Sequence, residues 1–180
     1  MTQLGVISLG PGGAFDYVGQ ASDDERLERN SLPLPAAEQS EFANKESWPA
    51  YRRDNARSVV TRHTTPDQVR QLWLYDPKAA TLPTAPIAAN GTVYVGGQDG
   101  AIRALESASG QLRWSAYTGG PLKYPPAFDN GNLYAGSGDG RIYCLDADSG
   151  RVGWCFRAAP QERSIPVYGT LSSTWPVCGV

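Results

Sequence analysis

One segment of the chain is repeated 40 residues later. Residues 91–114 (GTVYVGGQDGAIRALESASGQLRW) and 131–154 (GNLYAGSGDGRIYCLDADSGRVGW) align without a gap, and ten of the 24 positions are identical. The flanks agree as well, because Pro86 aligns with Pro126 and Asn90 aligns with Asn130. A period near 40 residues is typical of β-propeller blades and of solenoid repeats. The fold is therefore expected to be a stack of this unit.

Turn sequences inside the repeat decide between these architectures. Each copy holds Asn-Gly, then Asp-Gly, then Ser-Gly, and the first two favour tight β-hairpins. Three connections join four antiparallel strands, expected in the second copy at residues 124–128, 132–136, 141–146 and 151–157. No helical period runs through the repeat. We therefore predict an all-β chain, a partial β-propeller of four-stranded antiparallel blades with a period of 40 residues.

Shared positions of the repeat indicate shared structural roles. Gly100 and Gly140 follow the turn aspartates, in hairpins where a positive φ angle favours glycine. The other structural positions are Leu105, Leu145, Gly110, Gly150, Trp114 and Trp154, with Trp73 lying 41 residues before Trp114.

The segments outside the repeat carry weaker patterns. Residues 1–46 show no sustained period and are predicted to be an irregular lead-in or linker. A dinucleotide-binding glycine motif follows a strand, and no strand is predicted before Gly10-Pro11-Gly12-Gly13, so this segment is not interpreted as such a site. Residues 47–75 form a pre-blade segment, in which Thr65-Pro66-Asp67-Gln68 starts a short helical turn and residues 71–75 form a first outer strand. Blades are expected at 76–117 and 118–157, and residues 158–180 hold an inter-blade insertion and the start of the next blade.

Composition and charge exclude several classes of protein. The 16 Lys+Arg and 18 Asp+Glu residues give a net charge of −2, so we expect no nucleic-acid partner. Four arginines, Arg52, Arg53, Arg57 and Arg62, lie near Trp48 and Tyr51 and are interpreted as a solvated face or as ion-pair partners. No apolar run approaches the roughly 20 residues of a transmembrane helix. The first residues also lack the basic segment of a signal peptide.

The three cysteines, Cys144, Cys155 and Cys178, have no metal-binding spacing with His63. A two-residue turn at Ser149-Gly150 would place Cys144 directly opposite Cys155. A four-residue loop would make them diagonal neighbours on one face, about 7–8 Å apart and too far for a disulfide. We favour the second arrangement and predict reduced core cysteines. His63 has no nucleophile nearby in the sequence, so a catalytic triad is not expected.

The two segments that end in tryptophan carry a family resemblance. ALESASGQLRW (104–114) and CLDADSGRVGW (144–154) resemble the tryptophan-docking motif of pyrroloquinoline-quinone-type (PQQ-like) repeats in the quinoprotein alcohol dehydrogenase-like superfamily, roughly A-L-D-x-x-T-G-x-x-x-W. Residues 48–58 resemble the W-P-x-Y-R-x-D-x-x-R-S lead-in of bacterial members. The resemblance covers about residues 70–157. It implies that Trp114 and Trp154, and less closely Trp73, dock between neighbouring blades.

The resemblance implies two kinds of function. Quinone-dependent dehydrogenases of this type hold calcium beside the cofactor, an aspartate base and often two adjacent cysteines. Here no two cysteines adjoin, and Asp99, Asp139, Asp146 and Asp148 all fall in turns, where aspartate commonly bonds to the backbone. We therefore expect no catalytic, cofactor-binding or metal-binding residues. The expected function is that of a non-catalytic interaction or ligand-binding scaffold, as in the outer-membrane assembly propellers that the repeat also resembles. The alternative is a fragment of a PQQ-dependent dehydrogenase, with PQQ and calcium as cofactors.

Two blades do not close a propeller, which needs about 4 to 8. The expected partners are the remaining blades of a longer chain or another protein. A carbohydrate- or polymer-binding propeller is a further alternative, suggested by the aromatic residues Tyr117, Tyr124 and Trp175. An extracytoplasmic location is expected from the resemblance alone.

Overall fold

A computed structural model of the chain describes residues 21–34, 47–54, 56–61, 64, 66–78, 81–167 and 169–179. These residues form one short helix and eleven strands: α1 (Asp23–Arg26), β1 (Leu27–Arg29), β2 (Ile87–Ala89), β3 (Thr92–Gly96), β4 (Ala101–Glu106), β5 (Leu112–Tyr117), β6 (Ala127–Asp129), β7 (Asn132–Gly136), β8 (Arg141–Asp146), β9 (Val152–Arg157), β10 (Ser164–Val167) and β11 (Thr170–Ser173). Strands β2-β3-β4-β5 form the first blade and β6-β7-β8-β9 the second, each antiparallel. The predicted all-β fold with four-stranded blades is confirmed.

The turns of the blades follow from their glycines. Asn90 and Gly91 have φ angles of 49° and 72°, and Asn130 and Gly131 have 47° and 76°, as two-residue type I′ hairpins require. The Asp-Gly turns differ from the expected two-residue hairpin. Gly100 (φ 78°) donates its N–H to the Gly97 carbonyl (3.0 Å) and closes a three-residue loop, in which only the glycine is left-handed.

A β-bulge at the same place in both blades sets the register of the outer strands. In the second blade Leu145 pairs with Val152 but Cys144 pairs with Trp154, so Gly153 is the extra residue. The first blade repeats this shift, because Leu105 pairs with Leu112 and Ala104 with Trp114.

The bulge overturns the expected arrangement of Cys144 and Cys155. The predicted four-residue loop is present, since the Asp146 N–H donates to the Arg151 carbonyl (2.8 Å). Beyond it, however, the bulge shifts the register by one residue, and Cys155 pairs with Tyr143. Because successive residues of a strand point to opposite faces, the two thiols lie on opposite faces of the sheet. They are neither directly opposed nor diagonal neighbours, and all three cysteines are free.

The core lies between the two blades. Tyr94, Ile102 and Ala104 of the first blade pack against Leu133, Leu145 and Phe128 of the second. The Tyr94 and Phe128 rings are nearly parallel, with centroids 6.3 Å apart. Residues 48–49 bridge the free edges of the first strands of both blades: Trp48 exchanges backbone hydrogen bonds with Ala88 (2.7 and 2.9 Å), and the Pro49 carbonyl accepts one from the Phe128 N–H (2.7 Å).

The pre-blade predictions are wrong in two places. Residues 71–75 pair with no strand of the described chain, and residues 67–68 form a bend rather than a helical turn. A strand needs a hydrogen-bonding neighbour, and a single proline-led turn gains little without an apolar face to bury. Arg62, His63 and Thr65 lie outside the described residues, as do residues 1–20 and 35–46.

The lead-in prediction is also wrong for residues 23–29. α1 is capped by Ser22, with Glu25 returning the bond, and β1 adds a fifth strand to the second blade by pairing with β9. Periodicity cannot reveal a three-residue strand, because its stability comes from a distant edge. Within residues 158–180, β10 and β11 form a hairpin. After it, the Val177 N–H donates to the Ser137 carbonyl (3.0 Å), and the Leu122 N–H makes the equivalent hydrogen bond to the Gly97 carbonyl in the first blade. No helix among the described residues is long and apolar enough to cross a membrane.

Candidate interaction site

Trp114 joins the outer strand of the first blade to the second blade. Its indole N–H donates to the Ala147 carbonyl (3.0 Å), and its ring lies against Gly150 in the same loop. A methyl group at Gly150 would come within 2.5 Å of a ring carbon. Glycine is required at this position for two reasons: a side chain would clash with the Trp114 ring, and the φ angle of 73° is left-handed.

Trp73 makes the same contact one blade earlier. Its indole N–H donates to the Ser107 carbonyl (2.9 Å), and its ring covers Gly110 (φ 70°). Ser107 and Gly110 are the residues that align with Ala147 and Gly150 across the 40-residue repeat. The loop of each blade thus receives one tryptophan, although Trp73 comes from a segment that is not a strand.

Trp154 occupies the corresponding place on β9 but has a different environment. Its ring lies 6.1 Å from that of Tyr134, and with Leu27, Ile142 and Phe156 it lines a shallow cleft. Its indole N–H donates to no carbonyl in the described part of the chain. The face of the second blade that carries Trp154 is equivalent to the face of the first blade that is packed in the core.

A larger cleft of about 530 Å³ lies on the opposite face of the first blade. Val93, Val95 and Leu105 form its floor, and Trp73, Leu74 and Pro83 are among the residues that form its wall. The aligned residues of the second blade, Leu133, Ala135 and Leu145, are at most 1% exposed in the inter-blade core. The floor of the cleft is therefore the first-blade equivalent of the second-blade face that packs against another blade.

One charged pair distinguishes the cleft from the packed face. Arg103, which lines the cleft, forms an ion pair with Asp99, and its guanidinium lowers the pKa of that carboxyl. The aligned residue of the second blade is Tyr143, whose hydroxyl donates to Asp139 (2.5 Å) and accepts the Gly119 N–H (3.1 Å). The Arg-for-Tyr difference was visible in the aligned repeats but was not singled out from the sequence.

The remaining predicted structural positions lie in the blades. Leu105 and Leu145 are buried on β4 and β8. A methyl group at Gly100 would lie 3.0 Å from the Gly120 carbonyl oxygen, and one at Gly140 (φ 86°) would lie 2.8 Å from Ala159. Both glycines are thus enclosed by the segment that follows each blade.

The aromatic residues suggested for polymer binding do not share one cleft. Tyr124 lines a groove of about 380 Å³ with Tyr51 and Arg57, and neither Tyr117 nor Trp175 contributes to it. Arg52 and Arg57 stack on Tyr51, at 5.5 and 5.8 Å from the ring centroid.

The donor groups for a quinone and calcium site do not assemble among the described residues. They contain no cluster of three His, Cys, Asp or Glu side chains able to hold a metal ion. The Asp139 carboxylate accepts the Arg141 N–H (3.0 Å), and Asp146 accepts the Ser149 N–H (2.7 Å) and hydroxyl. The Cys144 thiol lies in the apolar interior, and burial raises its pKa to about 11. The three side chains thus hold two turns and part of the core.

The family model described as outer membrane protein assembly factor BamB matches residues 56–175, more than half of the chain. The chain belongs to this PQQ-like repeat family. Its fold is shared with two solved enzymes: quinohemoprotein alcohol dehydrogenase from Comamonas testosteroni (21% identity, TM-score 0.55, 62% of this chain and 19% of that one) and a europium-containing methanol dehydrogenase (19% identity, TM-score 0.52, 65% and 24%).

Another similar structure is BamB from Moraxella catarrhalis (22% identity, TM-score 0.37, 38% of this chain and 21% of that one). No curated protein matches the sequence. The PQQ-like chain spans about a fifth to a quarter of the length of these solved proteins. At these identities the likeness to solved structures concerns the fold alone.

Proposed function

We propose that this PQQ-like chain is a non-catalytic propeller segment that serves as an interaction scaffold. The observation that carries the proposal is the cleft floored by Val93, Val95 and Leu105, whose counterparts in the second blade are buried against another blade. Burial of such apolar side chains stabilises contacts by about 25 cal/mol per Å². The partner is another propeller blade, from the rest of a longer chain or from a second protein.

The family and the donor groups support a scaffold over a dehydrogenase. The matching family is described as an assembly factor, and we extend that role, with an extracytoplasmic location, to this chain as part of the proposal. Three of the four turn aspartates, Asp99, Asp139 and Asp146, accept hydrogen bonds from backbone N–H groups. The two buried cysteines face opposite sides of the sheet.

Association of the chain with itself tests the scaffold role. In the core, the first-blade face that carries Trp114 packs against Leu133 and Leu145 of the second blade. The second-blade face that carries Trp154 is equivalent to the first of these surfaces, and the cleft of the first blade is equivalent to the second. The Trp154 face of one copy can therefore pack against the cleft of another copy. We expect sedimentation to show concentration-dependent association of the full chain. Val95→Asp should weaken it at least tenfold, while Val69→Asp, at a residue 84% exposed, should leave it unchanged. Wild type that stays monomeric, or equal effects of both variants, would contradict the assignment of the cleft.

Reconstitution tests the absence of catalysis separately. The full chain would be mixed with PQQ and calcium, and quinone binding would be followed by absorbance and alcohol oxidation by reduction of an artificial electron acceptor. We expect neither saturable binding nor turnover. Saturable, calcium-dependent binding with turnover would make the dehydrogenase alternative correct.

A further inference from the structure

The outer strand of the second blade is covered by a segment that is remote in sequence. Residues 22–34, here called the edge strap, run along β9, with Leu27, Glu28 and Arg29 paired to Phe156, Cys155 and Trp154. The ladder continues where the Asn30 N–H donates to the Gly153 carbonyl (2.8 Å) and the Asn30 side chain donates to the Val152 carbonyl (3.1 Å). This is strand addition to a free sheet edge.

Side-chain contacts fix the strap at both ends. Arg26 donates to the carbonyls of Arg157 (2.8 Å) and Ala158 (3.0 Å), and its guanidinium lies 4.6 Å from the centre of the Phe156 ring. At the other end, Arg151 donates to the carbonyls of Leu32 (2.6 Å) and Pro33 (2.7 Å). Between them Glu28 pairs with Arg141.

The first blade lacks the features that hold the strap. Gly153, the bulge residue against which Leu34 packs, corresponds to Arg113, whose side chain is tied to Glu106 and Thr92. Phe156 corresponds to Ala116, and Arg141 to Ala101. β5 and β9 have the same length and carry the bulge at the same place, so the difference between them lies in these side chains.

The strap contributes little to the core that holds the blades together. α1 has no buried residue, and Glu28 and Arg29 are exposed. None of residues 22–34 belongs to the inter-blade core. Removing the strap would therefore expose an edge of β9 while the packing of the two blades stays intact.

We propose that the outer edge of β9 is a peptide-binding site of the strand-addition type, and that the edge strap is its exchangeable intramolecular occupant. The ligand is an extended polypeptide segment with arginine and glutamate two residues apart, followed six residues later by an apolar side chain, as in Arg26, Glu28 and Leu34. Backbone pairing provides affinity, and Arg141, Gly153 and Phe156 provide selectivity. This site is separate from the cleft of the first blade and does not depend on its role.

Cys155 reports whether the strap is in place. It pairs with Glu28, is 7% exposed and accepts a hydrogen bond from Arg141 (3.4 Å). In a Cys178→Ser chain, Arg26→Ala should raise the rate of Cys155 alkylation at least tenfold, because the strap is weakened. Cys144, on the other face and 1% exposed, should keep its rate and serves as the internal control.

Binding in trans uses a fluorescent peptide of residues 21–34 (ASDDERLERNSLPL) and a scrambled peptide of the same composition. We expect the Arg26→Ala chain to bind the first peptide at least tenfold more tightly than wild type does, and bound peptide should protect Cys155 again. Adding Gly153→Val, or Arg151→Ala as the milder change, should weaken this binding. The proposal is overturned if the scrambled peptide binds equally, or if Arg26→Ala neither exposes Cys155 nor binds peptide.

Discussion

Replacing Trp114 by alanine should destabilise the chain more than the same change at Trp154. The structure gives Trp114 a docked loop with a carbonyl acceptor, whereas Trp154 has an aromatic neighbour and a shallow cleft. Truncating a buried tryptophan costs about 3–5 kcal/mol, and Trp114 is half-buried, so we expect about 3 kcal/mol. For Trp154 we expect about 1–2 kcal/mol, chiefly from lost packing on Tyr134.

A second substitution separates the two parts of the Trp114 contact. Trp114→Phe keeps a ring against Gly150 but removes the N–H that donates to Ala147, so it should cost about 1 kcal/mol. The assay is urea unfolding followed by far-ultraviolet circular dichroism, with midpoints converted to free energies through the measured slope. Tryptophan fluorescence is unsuitable because the variants remove the fluorophore. A loss at Trp154 equal to or larger than that at Trp114 would refute the docking argument.

Three further results are expected. Gly150→Ala should lower the free energy of unfolding by about 1 kcal/mol more than Gly131→Ala, since both have positive φ but only Gly150 touches a docked indole; equal urea midpoints would contradict this. Native thiol counting should find one fast thiol, at the exposed Cys178, and unfolding without reductant should release three; a single free thiol would indicate a disulfide. Burial raises the pKa of Cys144 to about 11 and of Tyr94 to about 12, so the unfolded chain loses these protons at lower pH than the folded one. The free energy of unfolding should therefore fall as pH rises from about 9 towards 11, and urea midpoints that increase over that range would exclude it.

The blades could be predicted from sequence because their information is local and repeated. Asn-Gly hairpins fix two of the strand ends in each copy, and the second-copy strands expected at 132–136 and 141–146 are found at those bounds. The bulge at Gly153 was not predicted, because it depends on how β9 twists against β8 rather than on a residue pattern. That single shifted residue moved Cys155 to the face opposite Cys144.

The cleft and the edge strap were missed for a different reason. Both come from contacts between residues far apart in sequence: Trp73 with Gly110, and residues 22–34 with β9. The strap residues show no period, since a strand of three residues is too short to display one. A comparison of aligned positions could have revealed part of the site, because Arg103 for Tyr143 and Arg113 for Gly153 are differences inside an otherwise repeated unit.

Trp48 and Pro49 fasten the first strands of the two blades, and Trp114 fastens the outer strand of one blade to a loop of the other. A sheet attached to its neighbour at one end can still swing about that end. Attachment at both ends removes this freedom and fixes the angle between the two sheets. In a closed ring of sheets that are all related by the same angle, that angle determines how many sheets complete the ring. Any ring assembled on this pair would thus inherit its blade number from an angle already set within the chain.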